Sequence, residues 1–205
     1  MRLNSRSWIV MGIGVGIVAG ALAVWASAAV GQTAPDFTLT DSQGRATMLS
    51  QLKGKWVVLE WFNNECPFVR KHYDSGSMQR LQETYTAKGV VWLTIISSAP
   101  GKQGHVPPEQ ANEIIVQRKA HQTALLLDPD GSVGRRYGAK TTPHLFIVDP
   151  KGILIYAGAI DDKPSTNQAD LAGATNYVQQ ALDEAMAGKA VSVAETKSYG
   201  CSVKY

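Results

Sequence analysis

Two cysteines, Cys66 and Cys201, carry the most reactive side chains in this chain. A thiolate is both a nucleophile and a metal ligand, and its reactivity follows its pKa. Cys66 sits in Trp61-Phe62-Asn63-Asn64-Glu65-Cys66-Pro67-Phe68-Val69-Arg70-Lys71-His72. An apolar, β-branched run, residues 56–61, precedes it, and Pro67 then occupies a favoured first helical position. Cys66 is therefore expected where a strand hands over to a helix. Free backbone N–H groups and the positive end of the helix dipole stabilise a thiolate there. Cys201 lies in Tyr199-Gly200-Cys201-Ser202-Val203-Lys204-Tyr205 at the C-terminus. Such a pair can be a structural disulfide, a redox couple or two unrelated thiols.

Other residues near these cysteines have a bland reading beside a chemical one. Arg70 and Lys71, one turn into the helix, could add positive potential at Cys66; Lys71 reads better as a solvated helix charge. His72 could join Cys66 in holding copper or zinc, but a separation of six residues does not place the two on one helix face. A solvated or packed histidine is the simpler reading. Asp161 and Asp162 could supply a base, and read better as a solvated turn. Trp61 could be core or could wall the site. Tails fray, yet Tyr199 and Tyr205 would waste apolar bulk on a loose one.

The elements that must position these residues follow from periodicity. Residues 37–40 and 46–49 flank Asp41-Ser42-Gln43-Gly44 and read as a hairpin. After the Cys66 strand, a helix runs to about Ala87, with a kink expected at Asp74-Ser75-Gly76-Ser77. Residues 90–96 and 124–127 read as further strands, separated by a long polar loop (97–108) and a helix (109–122). A short helix at 132–137 precedes strands at 144–148 and 152–157, joined by Asp149-Pro150-Lys151. A last amphipathic helix is expected over 169–187, and residues 191–205 lack helical periodicity. Alternating strands and helices make an α/β plan.

Length and charge set the bounds. The 205 residues suit one filled domain with an appendage. The net charge is +3, and Arg2 and Arg6 supply two of those charges; no basic block remains to suggest nucleic acid as a partner. Those arginines precede an apolar, Gly-rich run from Trp8 to Val24 and the small residues Ala26-Ser27-Ala28. Residues 1–30 thus read as a signal peptide cleaved near Ala28, or as an uncleaved membrane anchor spanning residues 8–30. Residues 31–188 would then form the folded domain in an oxidising space such as a bacterial periplasm, and residues 189–205 a tail carrying Cys201.

Several landmarks coincide in a family resemblance. Thr33-Ala34-Pro35-Asp36-Phe37-Thr38-Leu39, the run Leu52-Lys53-Gly54-Lys55-Trp56-Val57-Val58-Leu59, and Cys66-Pro67 resemble the thioredoxin-fold redoxins of the alkyl hydroperoxide reductase/thiol-specific antioxidant (AhpC/TSA) superfamily. Lys140-Thr141-Thr142-Pro143 and Asp149-Pro150-Lys151-Gly152 are similar to the cis-proline loop and following hairpin of that superfamily. The resemblance implies a central mixed sheet flanked by helices, with an N-terminal hairpin. It also implies a reactive Cys66, a cis Pro143 beside it, and Thr142 presenting backbone to a substrate. The 97–108 loop and Asp161-Asp162-Lys163-Pro164 would rim the site.

The departures matter equally. Val69 stands where thioredoxins and related thiol reductases keep a second cysteine. Leu59 and Asn63 stand where peroxiredoxins keep a proline and a Thr or Ser, although Asn63 could still offer a hydrogen bond. The expectation is an exported thiol oxidoreductase whose Cys66 thiolate attacks a disulfide, or alternatively a hydroperoxide. Trp61, Asn63, Pro67, Arg70, Thr142 and Pro143 would surround the substrate. Cys201 would resolve the intermediate, and an external thiol would reduce the product. A copper-binding chaperone and a non-catalytic binding module are the rivals from other classes. The thiol chemistry needs no metal, flavin or nucleotide, and no dinucleotide or phosphate-loop fingerprint is present.

Overall fold

A computed structural model describes residues 27–205. The segment expected to export or anchor the chain lies outside the described residues up to position 26. Among the described residues no helix is long and apolar enough to cross a membrane.

Seven strands form one mixed sheet: β1 (Thr38–Asp41), β2 (Ala46–Met48), β3 (Val57–Trp61), β4 (Val91–Ile96), β5 (Ala124–Leu127), β7 (His144–Val148) and β8 (Leu154–Gly158). Their order is β2-β1-β5-β4-β3-β7-β8. Strands β3, β4 and β5 run parallel, and β7 joins β3 antiparallel. The expected hairpin is β1–β2. A separate two-stranded ladder pairs β6 (Thr141–Thr142) with β9 (Cys201–Ser202).

Central strands with both faces covered read as near-continuous apolar runs, and every residue of β3, β4 and β7 is buried. Strand alternation deals β3 to two cores. Val58 and Phe62 pack on one face with Cys66, Val69 and Tyr73. Val57, Leu59 and Trp61 pack on the other with Tyr137 and Phe146. Fully burying each such side chain contributes about 1.5–3 kcal/mol, so the centre of the sheet is a rigid mount.

The helices correct some expectations at their ends. The Cys66 helix breaks into α1 (Pro67–Asp74) and α2 (Ser77–Thr86) at Gly76, whose φ of 73° suits glycine. This is the interruption expected from the Asp-Ser-Gly-Ser cluster. Helices α3 (Pro108–Arg118) and α4 (Ser132–Tyr137) follow as expected within a few residues. The last helix starts later than its apolar pattern predicts. Residues 168–173 wind as a tighter 3-10 turn, and α5 spans Tyr177–Met186. Asn176 sets that start by accepting a hydrogen bond from the Gln179 N–H at 2.8 Å.

Register explains why distant segments meet. Trp61, the end of β3, pairs with His144, the start of β7. Because the strands are antiparallel, the chain just after Trp61 and the chain just before His144 leave the sheet at the same end of the strands. Cys66 and Thr142-Pro143 are thereby brought together.

Candidate active site

Cys66 is the N-cap residue of α1, in extended conformation, with Pro67 as the first helical residue. Its side chain has no solvent exposure. The Thr142–Pro143 bond opposite is cis, as the resemblance implied. Cys66 Sγ lies 3.0 Å from the Thr142 carbonyl oxygen and 2.7 Å from Cys201 Sγ. Both cysteines are free thiols, yet 2.7 Å is close to the about 2.05 Å of a disulfide.

The tail brings Cys201 there as a strap. Glu195 bridges to Ala157 in β8, and Thr196 Oγ1 accepts from Ala159 N–H at 2.8 Å. The β9 residues pair antiparallel with Thr141 and Thr142. Beyond them, Val203 N–H donates to Lys140 O at 3.1 Å and Ala99 N–H donates to Lys204 O at 2.8 Å. Tyr205 ends the strap by donating to Ala139 O at 2.7 Å, with Arg135 stacked 4.6 Å over its ring. Gly200 is required at the crossing. Its φ is 130°, and a Cβ there would stand 2.1 Å from the Thr142 carbonyl oxygen.

Electrostatics separate the two thiols. Burial pushes the Cys66 thiol up, but donors outweigh it and the group settles below its ordinary value of 9.0. Those donors are the Cys201 thiol, the Thr142 hydroxyl, and the Val69 and Cys201 backbone N–H groups. Thr142 Oγ1 is buried with no other partner, so it is free to serve the sulfur. The Thr142 carbonyl can accept only from the thiol form and opposes ionisation. Cys201 moves the other way. Burial and then the hydrogen bond and charge of Cys66 push it up to about 12. The arrangement can hold a thiolate on Cys66 while Cys201 keeps the proton.

Behind Cys66, a buried polar cluster anchors the strap. Lys71, His72 and Asp161 are each almost fully buried. Lys71 Nζ lies 3.4 Å from Asp161 Oδ2 and donates to Lys163 O at 2.7 Å. Tyr199 donates its hydroxyl proton to Asp161 Oδ1, and that hydroxyl lies 3.3 Å from His72 Nε2. The Tyr199 ring also meets Phe68 edge-on at 5.8 Å. Burial, opposed by Asp161 and reinforced by Lys71, pulls His72 down to about 4, so it is neutral near pH 7. Two readings are corrected here: Lys71 and Asp161 are neither solvated helix charge nor solvated turn, but a buried ion pair. A buried charge needs a partner, and the sequence hid the partner ninety residues away.

The remaining expected site residues divide. Pro67 starts α1 with its ring exposed, and Arg70 is exposed and turned to Asp74 at 3.4 Å. Trp61 does not wall the site: its indole packs in the opposite core and donates to Ser97 Oγ at 3.0 Å. Alternation along β3 decides this, because Trp61 and Phe62 must face opposite ways. Asn63 is buried but spends its carbonyl oxygen on the Glu65 N–H at 2.9 Å, shaping the turn before Cys66. The 97–108 loop does press on this turn, with Gly104 against the Asn63 side chain. Among the described residues no group of three or more His, Cys, Asp and Glu is gathered as a metal site.

Glu60 was not singled out by sequence reasoning, although an acid inside an apolar strand run was the available signal. It is fully buried in β3. It accepts from Tyr73 OH at 2.9 Å, Trp92 Nε1 at 2.8 Å, and Thr94 Oγ1 and Gln82 Nε2 at 3.2 Å each. Burial raises its pKa against those hydrogen bonds. The network pins α1 through Tyr73 and α2 through Gln82 to the sheet.

Comparison with known proteins agrees with this architecture. The AhpC/TSA family model matches residues 30–157. The thioredoxin-like protein YneN of Bacillus subtilis is 27% identical over 143 residues, covering 69% of this chain and 79% of that protein. The thiol-disulfide oxidoreductase ResA of Geobacillus thermodenitrificans is 28% identical over 124 residues, covering 60% of this chain and 66% of ResA. Among solved structures, an uncharacterized conserved protein from Geobacillus kaustophilus superposes with a TM-score of 0.75 at 27% identity, covering 86% of this chain and 92% of that one. The thioredoxin domain of a thiol-disulfide oxidoreductase from Bacteroides vulgatus superposes at 0.51 with 21% identity, covering 72% of this chain and 97% of that one, and so shares the fold.

Proposed function

The chain belongs to the AhpC/TSA family, and we propose that it is an exported thiol-disulfide oxidoreductase in which Cys66 attacks and Cys201 resolves. It is a thiol-dependent oxidoreductase of thioredoxin-like fold, similar to proteins named for that activity. The finer reading rests on the 2.7 Å separation of the two sulfurs. The Cys66 thiolate attacks one sulfur of a substrate disulfide, forming a mixed disulfide and releasing the other sulfur as a thiolate. Cys201 then gives up its proton and attacks Cys66 Sγ. The substrate leaves as a dithiol and a Cys66–Cys201 disulfide remains. An external thiol reductant returns the pair to the reduced state. Export is supported by Arg2, Arg6 and the apolar run that follows them.

Peptide mapping of the air-oxidised protein tests the pairing: a crosslinked peptide joining Cys66 and Cys201 is expected, and two free thiols would refute it. Disulfide reductase activity should be lost in Cys66→Ser and stall at a mixed disulfide in Cys201→Ser. Fractionation of expressing cells tests export.

A hydroperoxide is the second reading, favoured by one observation. Cys66 has no exposure beneath the strap, which a small oxidant would pass more easily than a protein. Against it, Asn63 directs its carbonyl oxygen to Glu65. Peroxide consumption by the reduced protein, with Cys66 sulfenate as product, distinguishes the two.

A further inference from the structure

The two sulfurs of the proposed couple differ in access. Cys66 is enclosed by the end of β3, by α1, by Thr142-Pro143 and by the strap, and it is fully buried. Cys201 sits on the strap itself and is only half-buried; its neighbour Ser202 is exposed. No residue from 191 to 205 is fully buried, although the strap covers residues that are.

The strap does not need a disulfide to stay closed. With both cysteines free, it is held on each side of Cys201. Tyr199 is bonded to Asp161 before it, and Val203, Lys204 and Tyr205 make hydrogen bonds after it. An outside thiol therefore meets Cys201 first in the oxidised protein.

From this asymmetry, and resting on the Cys66–Cys201 pairing proposed above, we propose that the reducing thiol enters at Cys201 and expels Cys66. The incoming thiolate forms a new S–S bond to Cys201 Sγ. The Cys66–Cys201 bond breaks, and its electron pair leaves on Cys66. A second thiol of the reductant then attacks its own sulfur in the mixed disulfide, releasing Cys201, which takes up a proton. Two electrons pass from the reductant to the pair, and the reductant leaves as a disulfide. The more exposed sulfur is where the reductant enters, and Cys66 is the sulfur it expels.

The leaving-group order agrees with the access order. A thiol of lower pKa leaves faster, and the Thr142 hydroxyl and the Val69 N–H at the start of α1, neither of them dependent on Cys201, hold the Cys66 thiol down. The first turn of α1 and the Thr142 hydroxyl receive the expelled thiolate where it forms. The partner must present its thiolate on a protruding or flexible segment, because the strap residues flanking Cys201 remain docked.

The test uses the oxidised full-length protein, reduced glutathione as the entering thiol, and an acid quench at early times. Digestion with pepsin in acid suppresses further exchange, and mass spectrometry locates the glutathione. Glutathione is expected on the peptide of Cys201 over that of Cys66 by roughly tenfold or more, reflecting access and leaving-group order together. Glutathione on Cys66, or divided evenly, overturns this entry route while leaving the pairing intact. Absence of any Cys66–Cys201 crosslink in the starting oxidised protein refutes the pairing, and the entry route with it.

Discussion

Tyr199 donates its hydroxyl proton to Asp161, so a residue of the C-terminal strap completes a buried polar cluster that also contains Lys71 and the neutral His72. The same strap delivers Cys201 two residues later. Holding the strap and positioning the second sulfur are therefore one structural task.

Tyr199→Phe should loosen that hold while keeping the ring contact with Phe68. A hydrogen bond to a charged group contributes about 1.5–3 kcal/mol, so a stability loss of about 2 kcal/mol in denaturant unfolding is expected. Iodoacetamide should alkylate Cys66 faster in this variant, because the strap opens more often. An unchanged alkylation rate would show that Tyr199 does not govern access.

Gly200→Ala should displace the strap from the cis-proline loop. The added Cβ would lie 2.1 Å from the Thr142 carbonyl oxygen, and φ is 130°. The effective concentration of Cys201 toward Cys66, read from equilibration with glutathione, should fall by about tenfold, equivalent to about 1.4 kcal/mol. The fold itself should survive, since the change touches no core side chain.

Lys71→Met should strand the Asp161 carboxylate inside the protein. Breaking one side of a buried pair costs about 3–5 kcal/mol. The double variant Lys71→Met with Asp161→Asn should recover much of that loss, which a double-mutant cycle measures. Equal destabilisation in single and double variants would show that packing, not charge, is what Lys71 supplies.

The two thiols should titrate separately. Thiolate absorbance near 240 nm should rise first for Cys66, below 9.0, and only near 12 for Cys201. Because the folded pKa of Cys66 is depressed, its ionisation stabilises the reduced fold above the unfolded pKa. That contribution is lost as pH falls through the folded value. Cys201→Ala removes a donor and should move the Cys66 titration upward.

Glu60 carries the opposite sign. Its folded pKa is raised above 4.5 by burial, so the folded state binds the proton more tightly than the unfolded one. Its contribution is fully present below 4.5 and is lost as pH rises toward the folded value. Glu60→Gln should flatten that part of the pH dependence of melting temperature relative to wild type. Parallel curves for the two proteins would show that burial does not shift the Glu60 pKa between the folded and unfolded states.

Much of the plan was legible because its signals are local. The apolar, β-branched run of Val57 to Trp61, the Asp-Ser-Gly-Ser break and Pro67 after Cys66 each report backbone preferences over a few residues. The strand-to-helix placement of Cys66 follows from them. The late start of α5 was misread because residues 169–175 share its apolar character, and the capping residue Asn176 outweighed that pattern. Trp61 reads equally as core or as site wall from the sequence, because nearness to Cys66 says nothing of which sheet face it takes; the structure makes it core.

The sequence by itself determined the α/β order, the position of Cys66 at a helix start, and the lack of a second cysteine one turn on. These depend on periodicity, capping and residue identity. Only the tertiary structure decided that Cys201 lies beside Cys66, that Lys71 and Asp161 are buried together, and that Cys66 is covered while Cys201 is not. Those facts depend on contacts across 135 and 90 positions of chain. Such contacts arise when β3 and β7 pair antiparallel and the strap crosses the end of the sheet where Trp61 meets His144. Local preference cannot encode that closure; it exists only when the whole sheet does.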